Sequence, residues 1–341
     1  MFDPYFYFIL LETHLTPIRI LGLFDTVSRA SLNEHPRRNL QAHAVEDDDW
    51  RAFIAYGYHA LSLDENRTSF GPTLLYVPVR ENEELFAGHG STFVQCWFPG
   101  VHTDVGGGYE RGYRDVSDLS LAWMVDMCSS ALVFDENLAQ HLKKPSTQSE
   151  DPIEPTKTTP PPDNEWGRSV AHDELHTAKF WLGGSVTRKP GQYFLGLKDG
   201  KGKPLKFTTT EYMHPSVRYR MMMGVKDKKG TPYKPAALAG FQLKKVEEVY
   251  EGVDTVSIKW QWEKLVHVEG EKEPVLVVIE EDGWRTNFNL TNGVRDKTPS
   301  KSSLGKVQDT LLTDDVMRAL NDVAKSEKIE MVPLEKTGWF W

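Results

Sequence analysis

Residues 93–98, FVQCWF, are apolar except for Gln95, show no alternation of polar and apolar positions, and run directly into the breaker Pro99-Gly100. A run of this length and composition is a strand. The missing alternation predicts burial on both faces, the setting of a parallel sheet covered by helices. Residues 18–24, IRILGLF, carry the same signature and stop at the polar pair Asp25-Thr26, so a second strand buried on both faces is expected there. Past Gly106-Gly107-Gly108, the residues Leu121, Met124, Val125, Cys128 and Leu132 recur at helical spacing. They predict one apolar helix face, with Asp118 near the positive end of the helix. Strand, glycine loop and helix in that order make half of an α/β unit, and the expected fold class is α/β, a parallel sheet flanked by helices.

With 341 residues, 39% of them hydrophobic and 11% aromatic, the chain can bury a substantial core. A net charge of -9 excludes the basic footprint of a nucleic-acid binder. The two basic clusters, KDGKGKPLK and VKDKKG, are broken by Gly and Pro and read as solvated turns. Two cysteines, Cys96 and Cys128, both in apolar surroundings, form neither a disulfide framework nor a metal quartet, which points to a reducing, cytoplasmic location. No transmembrane segment or signal peptide is expected from YFYFILL, which is seven residues long, lacks a basic flank and is followed by Glu12. HDEL at His172–Leu175 is internal and so is not a retention signal, and the sequons at Asn66 and Asn289 are expected to go unused.

Residues 143–164 hold six prolines among Ser, Thr and charges, a composition that buries too little apolar surface to offset the entropy of ordering, and a disordered insertion is expected. A helix is expected over NEWGRSVAHDELHTAKFWLGG, and TEYMHPSVRYRM reads as a further ordered segment. From about residue 236 the pattern is that of antiparallel strands, followed by a capped helix opening near Thr313. The resulting division is a first domain over residues 1–225, containing the insertion, and a β-rich extension over residues 226–341 with a terminal helix.

Asp25 ends one predicted strand and His102 follows the other, 77 residues on. The C-terminal edge of an open α/β sheet is where sites are built. A carboxylate there can fix the tautomer of an imidazole and stabilise the imidazolium that forms when it acts as a base. The structural alternative is a strand-end Asp that caps a turn, with a His satisfied by backbone. In YHALSLDENR, residues 58–67, the groups of His59, Asp64, Glu65 and Arg67 crowd together, and an Arg67–carboxylate fork bracing the site is expected. His59 is the alternative base, and His102 is preferred because it directly follows a buried strand. The glycine triplet could turn N–H groups toward an anion, although more often such a run only lets the chain change direction. HDELH places His172 and His176 at i and i+4, but Asp173 replaces the catalytic Glu of a zinc helix and no third ligand is apparent. No metal and no cofactor are expected, and His214 before Pro215 reads as part of an ordered turn.

Four blocks in this order, LGLFDTV, YHALSLDENRTSFGPTLL, FPGVHTDVGGGY and LSLAWMVD, resemble the type VI secretion phospholipase effector catalytic-domain family. The later NEWGRSVAHDE, PGQY and EYMHPSVRYR look like its fungal branch. The resemblance spans roughly residues 15 to 225 and implies an α/β-hydrolase core that cleaves lipid esters through a Ser-Asp-His triad. Position by position it makes Asp25 the triad acid and His102 the base, with Asp104 an outer or substitute acid, and a lipid or acyl ester the substrate. The family's nucleophile precedes both on a G-x-S-x-G elbow. No G-x-S-x-G occurs in this sequence, and none of GHGST, GRSVA and GGSVT sets Gly two residues from its Ser on both sides. The expectation is therefore a chain that lacks the nucleophile-bearing N-terminal part of the family and is inactive by itself. The alternative is a non-catalytic lipid- or protein-binding member of the same fold. A sheet cut short in this way exposes its inner edge unless it is re-formed from the C-terminal strands.

Overall fold

The computed structural model describes residues 18–28, 54–78, 92–109, 115–135, 137–138, 166–169, 172, 184–196, 207–226, 230–249, 255–282, 286–291, 294–295, 308, 312 and 314–323. In chain order its main strands are β1 (Ile18–Phe24), β2 (Ile54–Ser62), β3 (Thr92–Phe98), β4 (Glu211–Met213), β5 (Gln242–Val249), β6 (Thr255–Val266), β7 (Val275–Glu281), β8 (Thr286–Thr291) and β9 (Val294–Arg295). The helices are α1 (His102–Gly106), α2 (Asp115–Cys128), α3 (Pro215–Met222) and α4 (Asp314–Val323).

Among the described residues these strands form one nine-stranded sheet. Its first half is parallel, in the order β1-β2-β3-β4-β7. From β7 onward the pairing turns antiparallel: β7 and β8 lie along one side of the long β6, β5 along the other, and β9 on β8. Because β7 pairs with β4 through Glu280↔Tyr212 and Glu281↔Met213, strands from either side of residue 225 share the sheet. The arrangement is an α/β fold with a mixed sheet.

The FVQCWF strand lies centrally and is buried on both faces. Cys96 and Phe98 pack on one side with Tyr58, Ala60 and Trp123 of α2 and with Val316 and Leu320 of α4. Trp97 packs on the other side with Leu61, Met213, Phe241, Trp262 and Ile279. Its single polar residue is satisfied: the Gln95 amide accepts from the Leu75 N–H (2.8 Å) and donates to the carbonyls of Leu75 (2.9 Å) and Thr209. This pins two loops to the strand, as a buried amide requires.

Two expectations are corrected. The IRILGLF segment does form β1, but among the described residues it pairs only with β2 at the edge of the sheet, and Ile18 and Phe24 are exposed at 48% and 36%. Composition alone does not distinguish an edge from a centre, since a strand's burial depends on which neighbours the topology supplies. In α2 the face against the core holds Val116, Leu119, Trp123, Met124 and Cys128, whereas Leu121 is 38% exposed and Leu132, beyond the helix end, 50%. The helix is apolar around much of its circumference, and burying the Trp123 indole sets its rotation.

Residues 143–164 lie outside the described residues, as does most of the helix expected after them. Of that helix, Trp166-Gly167 form a turn and His172 has no regular structure. TEYMHPSVRYRM supplies β4 and α3. His214 caps α3, its Nδ1 accepting from the Ser216 N–H, with Pro215 at the first helical position where its missing donor costs nothing. No helix among the described residues is long and apolar enough to cross a membrane.

Candidate functional site

The parallel register brings the C-terminal ends of β1, β2 and β3 to one edge: Phe24 lies beside Ala60, and Ala60 beside Cys96. The chain then turns at Asp25, whose N–H still donates to the Ala60 carbonyl at 2.7 Å while its φ is +41°. Asp tolerates this left-handed conformation better than most residues, and the turn keeps its carboxylate at the edge, fully buried. Oδ1 accepts from the Ser62 N–H (2.8 Å) and from Nη1 of Arg188 (2.5 Å); Oδ2 accepts from Nη2 of Arg188 (3.0 Å) and from Nδ1 of His102 (2.8 Å). Burial by itself would raise the Asp25 pKa. The Arg188 guanidinium and the hydrogen bonds from His102, Arg188 and Ser62 outweigh it and hold the carboxyl well below the usual range.

An ionised Asp25 accepts from Nδ1–H of His102, which leaves the proton-free position of the neutral ring at Nε2. Among the described residues no group bonds Nε2. The His102 side chain is 32% exposed, and the ring of Phe70 meets it edge-on with centroids 5.2 Å apart. This geometry suits proton transfer to or from a group arriving from solvent.

The loop carrying His102 is held by the DENR block. Asp64 accepts from the Gly100 N–H (2.6 Å) and the Tyr233 hydroxyl (2.8 Å), and burial pushes its carboxyl up to about 6. Glu65 forks onto Arg67, with Nε to Oε1 at 2.8 Å and Nη2 to Oε2 at 2.6 Å, and accepts from the His102 N–H at 3.2 Å. The Arg67 guanidinium also lies 3.7 Å from the centre of the Phe70 ring, so the expected fork reaches both the backbone of His102 and the ring packed against it. Gly100, at φ +97°, is required because a Cβ there would stand 2.7 Å from Cβ of Asp104.

His59 does not bond Asp25. Its Nε2 accepts from the Thr26 N–H (3.0 Å) and its Nδ1 faces Oε1 of Gln95 (3.3 Å). Burial pushes it down to about 4, and it fixes the backbone just after Asp25. Asp104 does not bond His102 either. Its Oδ2 accepts from the Val101 N–H (2.9 Å), closing the first turn of α1, and its Oδ1 meets Nδ1 of His172 at 2.6 Å. The His172 ring stacks on Tyr109. His176 lies outside the described residues, which contain no cluster of three or more His, Cys, Asp or Glu able to hold a metal. The glycine run ends α1: Gly107 is left-handed, and the N–H groups of Gly107 and Gly108 both donate to the Thr103 carbonyl, at 3.0 and 3.1 Å. Those donors are therefore committed to the helix end. Ser185 forms an isolated bridge with Arg67, Ser91 lies outside the described residues, and no described serine bonds His102.

Arg188 is the site residue that sequence reasoning missed. Its only signal is position, two residues before the PGQY block. An arginine among Thr, Lys and Pro reads as surface, and its burial becomes visible only when the segment folds back onto the sheet edge.

No curated protein and no solved structure matches the chain. Residues 10–127 match the family model described as T6SS, phospholipase effector Tle1-like, catalytic domain. The segment running from β1 into α2, which supplies both Asp25 and His102, is thus similar to the catalytic domain of the Tle1-like phospholipase effectors of type VI secretion.

Proposed function

We propose that Asp25 and His102 are the acid and base of a lipid-ester hydrolase site. The observation that carries this reading is the 2.8 Å contact from Asp25 to Nδ1, with Nε2 left open, in a segment similar to a phospholipase catalytic domain. In such a site Nε2 takes the proton of an attacking hydroxyl and returns it to the leaving alkoxide, while Asp25 stabilises the intervening imidazolium. No nucleophile elbow occurs in the sequence. The 341-residue chain alone therefore carries the acid–base half of the site and has no esterase turnover of its own, since loss of a triad nucleophile costs several orders of magnitude.

The test is hydrolysis of short-chain p-nitrophenyl esters and phosphatidylcholine vesicles by the full chain beside its H102A variant. Equal, background rates are expected. Turnover that H102A abolishes, and that Ser91→Ala or Ser185→Ala also abolishes, would overturn the inactivity of this chain and place the nucleophile within it. The absent elbow also favours a second reading, a non-catalytic member that binds lipid, which calorimetric binding of a lysophospholipid without turnover would support.

A further inference from the structure

Proton transfer at His102 needs only a carboxylate on Nδ1, yet the Asp25 carboxylate carries a second charged partner. The Arg188 side chain is 2% exposed and makes four hydrogen bonds through its two terminal nitrogens. Two go to the Asp25 oxygens; the others run from Nη1 to the Ser62 carbonyl (2.7 Å) and from Nη2 to the Phe70 carbonyl (3.0 Å). Backbone groups at the end of β2 and beside the His102 ring therefore hold the guanidinium in its plane independently of Asp25. A fork anchored this way dictates the orientation of the carboxylate it grips. Oδ1 is bound by Ser62 N–H and Nη1, and Oδ2 is left with one direction toward Nδ1 of His102.

The fork also changes the charge that His102 faces. Besides Arg188 and His102, the titratable groups acting on Asp25 are His59, kept neutral by burial, and Tyr193, pushed up to about 12 by burial. Around His102, Glu65 is paired with Arg67. The buried cluster beneath the imidazole thus sums to zero with Arg188 in place and to one negative charge without it.

We propose that Arg188 is a positioning residue for the Asp25–His102 pair, aligning the carboxylate on Nδ1 and offsetting its charge. The proposal rests on the reading of His102 as the base, although its test requires no substrate.

That test is an NMR titration of the His102 imidazole in the full chain, assigned by comparison with H102Q, in wild type, R188Q and R188K. The glutamine variant keeps hydrogen-bond donors without the charge, and the lysine variant keeps the charge without the fork. Removing a cation beside the carboxylate should make His102 titrate about one unit or more higher in R188Q, as a newly unopposed charge at this range does. R188K should titrate as wild type but lose the downfield Nδ1–H resonance that reports the aligned bond. A folded R188Q with an unchanged His102 titration would overturn the proposal. If R188Q does not fold, R188K decides: a titration raised by a unit, or an intact downfield resonance, would overturn it. Failure of the hydrolase reading appears separately, in the ester assay, as turnover that H102A leaves unchanged.

Discussion

The Glu65–Arg67 fork can be weighed directly. Glu65 is 1% and Arg67 5% exposed, and the carboxylate accepts four N–H groups: N, Nε and Nη2 of Arg67 and the backbone N–H of His102. Removing one member of a buried pair costs about 3–5 kcal/mol, mostly because the remaining charge stays desolvated, whereas replacing both by apolar side chains is often nearly neutral. Arg67 retains the Phe70 face at 3.7 Å in E65L, which places that variant near the lower limit, about 3 kcal/mol. R67M leaves the Glu65 carboxylate buried with two of these four donors, the backbone N–H groups of residue 67 and of His102, and without a compensating cation, and should cost at least as much. The double variant E65L/R67M should cost less than the sum of the two, with a coupling energy of about 2–4 kcal/mol. Urea unfolding of the four proteins at neutral pH, followed by tryptophan fluorescence, measures this. Hydrogen exchange adds an independent reading, because the His102 amide should exchange faster in E65L. A cycle that is additive to within about 0.5 kcal/mol, or single variants that cost no more than an exposed pair, about 1 kcal/mol, would refute the claim that this fork braces the His102 loop.

His214 tests the pH dependence. Burial lowers it to about 3, and in the unfolded chain it titrates near the ordinary histidine value of 6.5, so between these values the unfolded state binds the extra proton. The sign is therefore that stability falls as pH drops from 6.5 toward 3. Relative to H214N, which preserves an N-cap acceptor for Ser216, wild type should lose about 1.4 kcal/mol per pH unit across that window. His59 contributes in the same direction and Asp64 in the opposite one, but both are common to the two proteins and cancel in the difference; parallel curves would disprove the assignment. G100A, which puts a Cβ 2.7 Å from Asp104 at a φ of +97°, should destabilise the fold by about 1–3 kcal/mol in the same urea assay, and a neutral result would show that the loop relaxes freely.

Sequence by itself determined the features that depend on local composition. The lack of alternation in FVQCWF marked a strand buried on both faces. Asp25 and His102, just past the ends of two predicted strands, marked one sheet edge, because parallel strands place their C-terminal ends together. The spacing within DENR was short enough for an Arg67–carboxylate fork to be read directly, and the structure chose Glu65 over Asp64 as its acid. Only the tertiary structure decided the features that depend on neighbours distant in sequence. β1 and β3 have similar compositions, yet among the described residues one is an edge and the other a centre, because the strands that flank them come from elsewhere in the chain. The rotation of α2 follows from the pocket offered to Trp123, a property of the opposing sheet. His59 and His102 were chemically equivalent candidates until the register turned one toward Thr26 and Gln95 and the other toward Asp25. Arg188 joins the site from 163 residues beyond Asp25. Charge complementarity has no sequence period, so a pairing of that kind becomes visible only in the folded chain.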